Sequence, residues 1–261
     1  MNWYVLRNTS FFAISFLTLG CQQKSLLDLP SPSSDAVYET QEYPAVVRII
    51  LPGGRGLCSG TFVSPRAVLT AAHCTQASGN YSVSTAFGTF TTSTKVNYGP
   101  GEVEDPHDIS FLIFSQDVAD RSQNQVADLA SSVGRGEILR LIGYGCSNME
   151  SRRGSGVKRT GTNMVYDVTD YIQFLTPRST ARAFRGIIGA SNRAGACFGD
   201  SGGPAVEARG EDDTLVVKGV AHTGGTMDED YLSEHVNITR ADNRAWISGV
   251  NRDYNLGIRG I

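Results

Sequence analysis

The sequence predicts an all-β domain, barrel or sandwich, on three observations. Short β-branched and aromatic runs recur along the chain, and Gly, Pro or polar clusters punctuate them. Glycine, at 29 of 261 residues, is well above average usage, as a chain with many tight turns requires. The length suits one large β domain with an N-terminal extra, because β-barrels commonly run past about 200 residues as one unit. Apolar residues, at 40 %, are enough to fill a sizeable core. Charged residues make up 19 % and the formal net charge is −3, which gives no electrostatic case for nucleic acid or an anionic membrane surface as partner.

Taken in order, the chain opens with Arg7 and then Phe11, Phe12, Ala13, Ile14, Ser15, Phe16, Leu17, Thr18 and Leu19, followed by Gly20 and Cys21. A short positive region, an apolar run of about 10 residues and a small residue at its end predict a secretory signal peptide over 1–20. The run is too short to span a bilayer, which needs about 20 apolar residues. A buried helix is the alternative, and the position at the extreme N-terminus argues against it. Leu17-Thr18-Leu19-Gly20-Cys21 resembles a bacterial lipoprotein signal, with Thr18 standing where that pattern prefers leucine. The resemblance implies acylation of Cys21 and anchoring in the outer membrane. Ordinary cleavage and release is the alternative. Residues 22–36 are rich in Pro, Ser and Gln and read as a flexible tether, extended to 21–42 ahead of a domain over 43–261.

The domain starts near Tyr43-Pro44. Val46, Val47, Ile49, Ile50 and Leu51 predict a strand that stops at Pro52-Gly53-Gly54, and Thr61-Phe62-Val63 and Val68-Leu69-Thr70 predict the next two. Further strands are predicted at 109–114, 138–144, 171–175, 215–221 and 236–239. Residues 241–250 predict a helix, with Ala245, Trp246 and Val250 on its apolar face and Asp242 suiting the dipole at its start.

Three stretches carry the chemistry: Leu69-Thr70-Ala71-Ala72-His73-Cys74, then Asp108-Ile109-Ser110-Phe111-Leu112-Ile113, then Cys197-Phe198-Gly199-Asp200-Ser201-Gly202-Gly203-Pro204. A serine hydroxyl is a weak nucleophile and needs a base within hydrogen-bond reach. A histidine supplies the base, and a carboxylate fixes its tautomer. Asp105 lies close to Asp108, and either carboxylate could sit in a solvated loop. His107 reads as a surface neighbour. The histidines are scattered, with no His-Glu-x-x-His, so neither a metal nor another cofactor is expected.

The three stretches, in this order, resemble the trypsin-like (chymotrypsin-fold) serine proteases, from about Tyr43 to Val250. The resemblance implies two six-stranded antiparallel β-barrels with a C-terminal helix, and a monomer acting on protein or peptide substrates. It implies His73, Asp108 and Ser201 as catalytic residues, with the apolar strand after Asp108 matching the family pattern. It also implies the N–H groups of Gly199 and Ser201 as oxyanion hole, and Gly195, His222, Thr223 and Gly224 as substrate-binding positions. Gly195 stands where Lys/Arg-cutting members carry aspartate, so an uncharged pocket is expected. A histidine near His222 occurs in glutamate-cutting members; packing or hydrogen bonding behind Asp108 is the other reading. His235 is a second candidate for a glutamate contact. Cys58 and Cys74 match the family disulfide at the histidine loop. Cys197 sits where the family has a cysteine whose usual partner is missing here, and Cys146 follows a segment that passes the oxyanion loop, so a Cys146–Cys197 bridge is expected.

No Ile-Val-Gly-Gly-like sequence precedes Tyr43, so the resemblance leaves Asp200 without the usual new N-terminus. Arg135, Arg140 or Arg159 is the expected cation, and no zymogen cleavage is expected. The rival to an exported peptidase is a catalytically silent protease fold used as a binding module.

Overall fold

The computed structural model describes residues 38–54, 56–102, 104–147, 151–177, 194–208 and 214–261. The expected leader over 1–20, Cys21 and most of the tether lie outside them. The described chain forms two curled antiparallel sheets and one α-helix, as the chymotrypsin-like expectation requires.

The first sheet contains β2 (Val46–Ile50), β3 (Leu57–Ser64), β4 (Ala67–Thr70), β5 (Tyr81–Thr85), β6 (Gly88–Thr92), β7 (Thr94–Asn97) and β8 (Ser110–Ile113), in the order β6-β5-β2-β3-β4-β8-β7. The second contains β1 (Tyr38–Glu39), β9 (Asp128–Leu129), β10 (Ile138–Gly143), β11 (Arg159–Met164), β12 (Asp167–Val168), β13 (Tyr171–Pro177), β14 (Pro204–Ala208), β15 (Leu215–Met227) and β16 (Asp230–Asn237). Its order is β1-β11-β10-β14-β15-β16-β13-β12, with β9 alongside β15 in parallel. The strand counts of seven and nine come down to six each. Ser93 alone separates β6 from β7, and β1, β9 and β12 are two-residue strands.

Burial explains which strands the sequence announced. All of β4 and β8 is buried, so both read as continuous apolar runs. In β5, Tyr81 and Val83 point inward while Ser82 and Ser84 do not, a period-2 pattern written largely in hydroxyl residues. One apolar core runs across both sheets, from Ile49, Phe62, Leu69 and Phe111 to Ile142, Val217 and Val220. Leu139, Leu141, Ile172 and Phe174 form a second cluster. Each fully buried side chain of this size contributes about 1.5–3 kcal/mol.

The described chain pairs with the second sheet from Tyr38, where β1 meets β11, and the buried Lys158 ammonium holds the carbonyls of Glu42 and Tyr43 at 3.0 Å each. Burial pushes that lysine down to about 8. The helix, α1 (Ala241–Tyr254), buries Asn243, Ile247 and Val250, while Ala245 faces solvent. Positions 243, 247 and 250 lie one above another at 100° per residue, and 245 falls nearly opposite. Trp246 is half-buried and stacks on Tyr98 at 5.0 Å and Phe111 at 5.5 Å, which ties the helix to the first sheet. No helix among the described residues is long and apolar enough to cross a membrane.

Candidate active site

The chain places its reactive side chains at strand ends where the two sheets face each other. His73 lies in a short 3-10 turn, Ala72–Thr75, directly after β4, and Asp108 immediately precedes the Ile109–Ile113 run. The Asp108 carboxylate is fully buried and takes hold of His73 twice. Oδ2 lies 2.6 Å from the ring Nδ1, and Oδ1 accepts the His73 backbone N–H at 2.7 Å. Burial raises the Asp108 pKa, but hydrogen bonds from His222 and His73 and the His73 charge outweigh it, and the net shift is downward. His73 keeps 31 % of its side chain exposed, so its ring edge reaches the groove. Asp105 instead caps its own loop, accepting the backbone N–H groups of Gly101 and His107. His107 points to Asp242 on α1, at 3.2 Å.

Ser201 arrives from the second sheet, three residues before β14. Its carbonyl accepts the Ser59 N–H at 2.8 Å and lies 3.7 Å from the Cys74 sulfur, which brings the Ser201 loop against the His73 turn. No hydrogen bond joins the Ser201 hydroxyl to His73 among the described residues. Such bonds are often long in unliganded sites and tighten with substrate.

The peptides around Ser201 are fixed by their carbonyls. Cys146 N–H holds the Phe198 carbonyl at 2.9 Å, Ser59 Oγ donates to the Gly199 carbonyl at 2.9 Å, and Gly203 N–H holds the Asp200 carbonyl at 2.7 Å. The N–H groups of Gly199 and Ser201 belong to the first and third of these peptides, and neither has an acceptor among the described residues. Gly199 has φ +102°, a backbone conformation that residues with a Cβ rarely adopt.

Behind this loop sits the Asp200 carboxylate, accepting Gly145 N–H at 2.7 Å and Cys197 N–H at 2.8 Å. A Cβ at Gly145 would run into that carboxylate, which explains a glycine there. Arg159 is the arginine that acts on Asp200, through Gly145: its Nη1 donates to the Gly145 carbonyl at 3.2 Å and its Nη2 to Glu39 at 3.1 Å. Arg135 lies instead by Asp167, and Arg140 over the Tyr43 ring. Disulfides join Cys58 to Cys74 and Cys146 to Cys197, so the His73 turn and the segment leading to Ser201 are each covalently tied. Such bonds suit an oxidising compartment.

A family model for trypsin matches residues 34–247, which include every group just described. The chain belongs to the trypsin family. No curated protein sequence matches it. The family is one of serine proteases, and its substrates are peptides.

In this trypsin-family chain the surroundings of Gly195 are described on one side by two strands of the second sheet. Gly195 is buried beside the hydroxyls of Thr176 and Ser233, and Ser233 Oγ accepts the Ala196 N–H at 2.9 Å. Thr223 and Gly224 lie further along β15, more open to solvent. The His222 side chain is 3 % exposed and its Nδ1 lies 2.5 Å from Asp108 Oδ2, the hydrogen-bonding alternative that the sequence left open. His235 is buried too, and burial, then the nearby His222, pushes it down from 6.5 to about 3.

The depressed His235 value has a stability consequence. The unfolded chain takes up a proton below about 6.5 that the native chain refuses until about 3, so this residue's contribution is present above pH 6.5 and lost as pH falls towards 3. In His235→Phe the melting temperature should decline less steeply across that window than in the parent. Calorimetry at a series of pH values checks this, and equal slopes would refute it.

As possible metal ligands, His73, Asp108 and His222 offer atoms within 4.8 Å of one another. Both Nδ1 atoms, however, point their protons at one carboxylate oxygen, so their lone pairs do not converge. Sequence reasoning named Arg159 among three candidate cations for Asp200 and missed Ser59 in its structural role. Nothing local sets Ser59 apart from other strand serines, and its partners Tyr144 and Gly199 lie 85 and 140 residues away.

Proposed function

We propose that the chain is an exported serine endopeptidase in which Ser201 is the nucleophile, His73 the general base and acid, and Asp108 the group that orients His73. One observation carries the reading most directly: the Asp108–His73 pair sits on the turn that the Ser201 loop packs against, and the Gly199 and Ser201 N–H groups of that loop have no acceptor among the described residues. Ser201 Oγ attacks the substrate carbonyl carbon as its proton passes to His73 Nε2. The oxyanion that forms is met by the Gly199 and Ser201 N–H groups, each worth about 2.7–4 kcal/mol in a site of this kind. As the peptide C–N bond breaks, His73 returns the proton to the leaving amine, and an acyl-enzyme remains. Water, deprotonated by His73, then releases the acid and restores Ser201.

The surroundings support an uncharged primary pocket floored by Gly195, with Thr223 and Gly224 offering backbone to the substrate strand. A catalytically silent binding module is not favoured, because all three reactive side chains and both donors are present. We also propose export through the 1–20 leader, a lipid anchor on Cys21 and action as a monomer.

Specificity is tested by digesting a proteome-derived peptide library and sequencing the new ends by mass spectrometry. Cleavage after apolar or small uncharged residues is expected. Cuts confined to positions after Lys or Arg would contradict the pocket assignment.

A further inference from the structure

We infer that His222 is a positioning residue for the reaction: a second imidazole that shares the Asp108 carboxylate with His73 and so sets how strongly Asp108 draws the proton His73 takes from Ser201. The inference rests on the protease reading above and adds a residue to it.

The backbone explains how His222 reaches Asp108. In the β15–β16 ladder Ala221 pairs with His235 and Thr223 with Glu234, so His222 is the extra residue of a bulge. A bulge re-aims a side chain that regular alternation would send elsewhere. The ring then lies flat against Tyr171, with centroids 5.3 Å apart and planes 3° from parallel. Its centroid is 6.3 Å from that of His73. Stacked on one side and enclosed on the others, His222 has a fixed orientation.

The hydrogen bonds determine its tautomer. Asp108 Oδ2 is within 2.6 Å of His73 Nδ1 and 2.5 Å of His222 Nδ1, and an ionised carboxylate only accepts. Both Nδ1 atoms therefore carry protons. His222 Nε2 is buried with no partner among the described residues, which suits a bare lone pair better than an N–H, since buried unpaired donors are the rarer case. One oxygen thus receives two charge-assisted bonds, and the negative charge that would act on His73 alone is divided.

The other titratable groups around His222 do not supply that charge balance. His235 across the ladder is held neutral by burial, and the Tyr171 phenol is pushed up to about 12, chiefly by burial, with Glu234, Asp105, Asp170 and Asp108 acting in the same direction. Glu234 is engaged by Gln173 at 2.8 Å.

Two substitutions separate positioning from packing. His222→Phe keeps a flat ring on Tyr171 and removes the N–H. His222→Asn places an amide N–H near the position of Nδ1. In His222→Phe, Asp108 acts on His73 undivided, so His73 holds its proton to higher pH. The acid limb of kcat/KM should move up by about one unit, and kcat should fall about tenfold or more with KM unchanged, because Oδ2 loses a donor that fixes it. His222→Asn should return both towards the parent. An unmoved acid limb in His222→Phe, or a rate loss that His222→Asn does not restore, would overturn the inference. A measurement that needs no turnover accompanies these: proton NMR of the folded parent should show two strongly downfield Nδ1–H resonances, one from each histidine. A single such resonance, assigned to His73 by its loss in His73→Ala, would overturn the inference as well. An inactive parent that shows both resonances would instead count against the protease reading and leave the shared carboxylate standing.

Discussion

Ser201→Ala is expected to lower kcat by about 10⁶-fold while leaving the fold intact, and His73→Ala should do the same. The two losses should not add, because nucleophile and base act as one unit. Asp108→Asn should cost less, about 10⁴-fold, through a different cause. An asparagine facing His73 Nδ1 stabilises the wrong tautomer and gives no charge to the imidazolium. In this chain it also turns an amide towards two ring N–H groups, at 2.6 and 2.5 Å, so His222 should be disturbed too. Residual rate in Ser201→Ala should come from the Gly199 and Ser201 N–H groups and from substrate binding alone. Steady-state kinetics on a peptide ester and on a peptide amide checks all three. Retention of more than a hundredth of the parent rate by Ser201→Ala would contradict the assignment.

The second large effect is expected at Asp200, which touches no substrate. Its two oxygens accept the N–H groups of Gly145 and Cys197, and those bonds hold the chain that presents Gly199 and Ser201. Asparagine has one acceptor oxygen, so in Asp200→Asn an NH₂ group must face one of those N–H donors. Two donors cannot share that space, and the oxyanion loop should shift. Loss of one oxyanion donor costs about 10²–10³-fold in kcat, and that is the size expected.

A pH signature accompanies it. Burial pushes the Asp200 carboxyl from 3.8 up to about 7, against the opposing hydrogen bonds of Cys197 and Gly145 and the charge of Arg159. A native carboxyl that holds its proton more tightly than the unfolded one stabilises the fold fully below about 3.8, and that stability is lost as pH rises through about 7. Catalysis needs the opposite state, the ionised carboxylate that accepts both N–H groups. The parent should therefore gain activity and lose stability across the same interval. Asp200→Asn, which does not titrate, should flatten that fall in stability. Between about 4 and 6.5 the His235 contribution runs the other way, so the two variants together resolve the stability profile. An unchanged stability slope in Asp200→Asn would refute the role given to the buried charge.

How much of this was legible beforehand follows from how local each feature is. His73 and Ser201 stand inside short, distinctive stretches, so the family resemblance those stretches carry was enough to single them out. The core strands β4 and β8 were equally plain, because both faces are buried and the runs are unbroken. Strands β5 to β7 were not read, because Thr and Ser carry their alternation and give little apolar contrast. The helix was placed well at its start, but its buried face was taken through Ala245 instead of Ile247, since a lone window does not say which side meets the sheet. The supports of the site were invisible for a different reason. Ser59 and Gly145 meet groups far away in sequence, and only folding brings those together, while Arg159 could be named only as one of three arginines. His222 is the most instructive case. Its identity drew attention, but the bulge that turns it to Asp108 is a property of the β15–β16 ladder.

The central claim is that nucleophile, base and oxyanion donors stand assembled in the uncleaved chain, with Asp200 held from within. Fluorophosphonate labelling tests it most directly, because the probe captures a serine only where all three cooperate. The protein purified from residue 22 onward, with no further cleavage, should label, and Ser201→Ala should not. No labelling of the folded parent, or labelling only after a further cleavage within residues 22–43, would contradict the account.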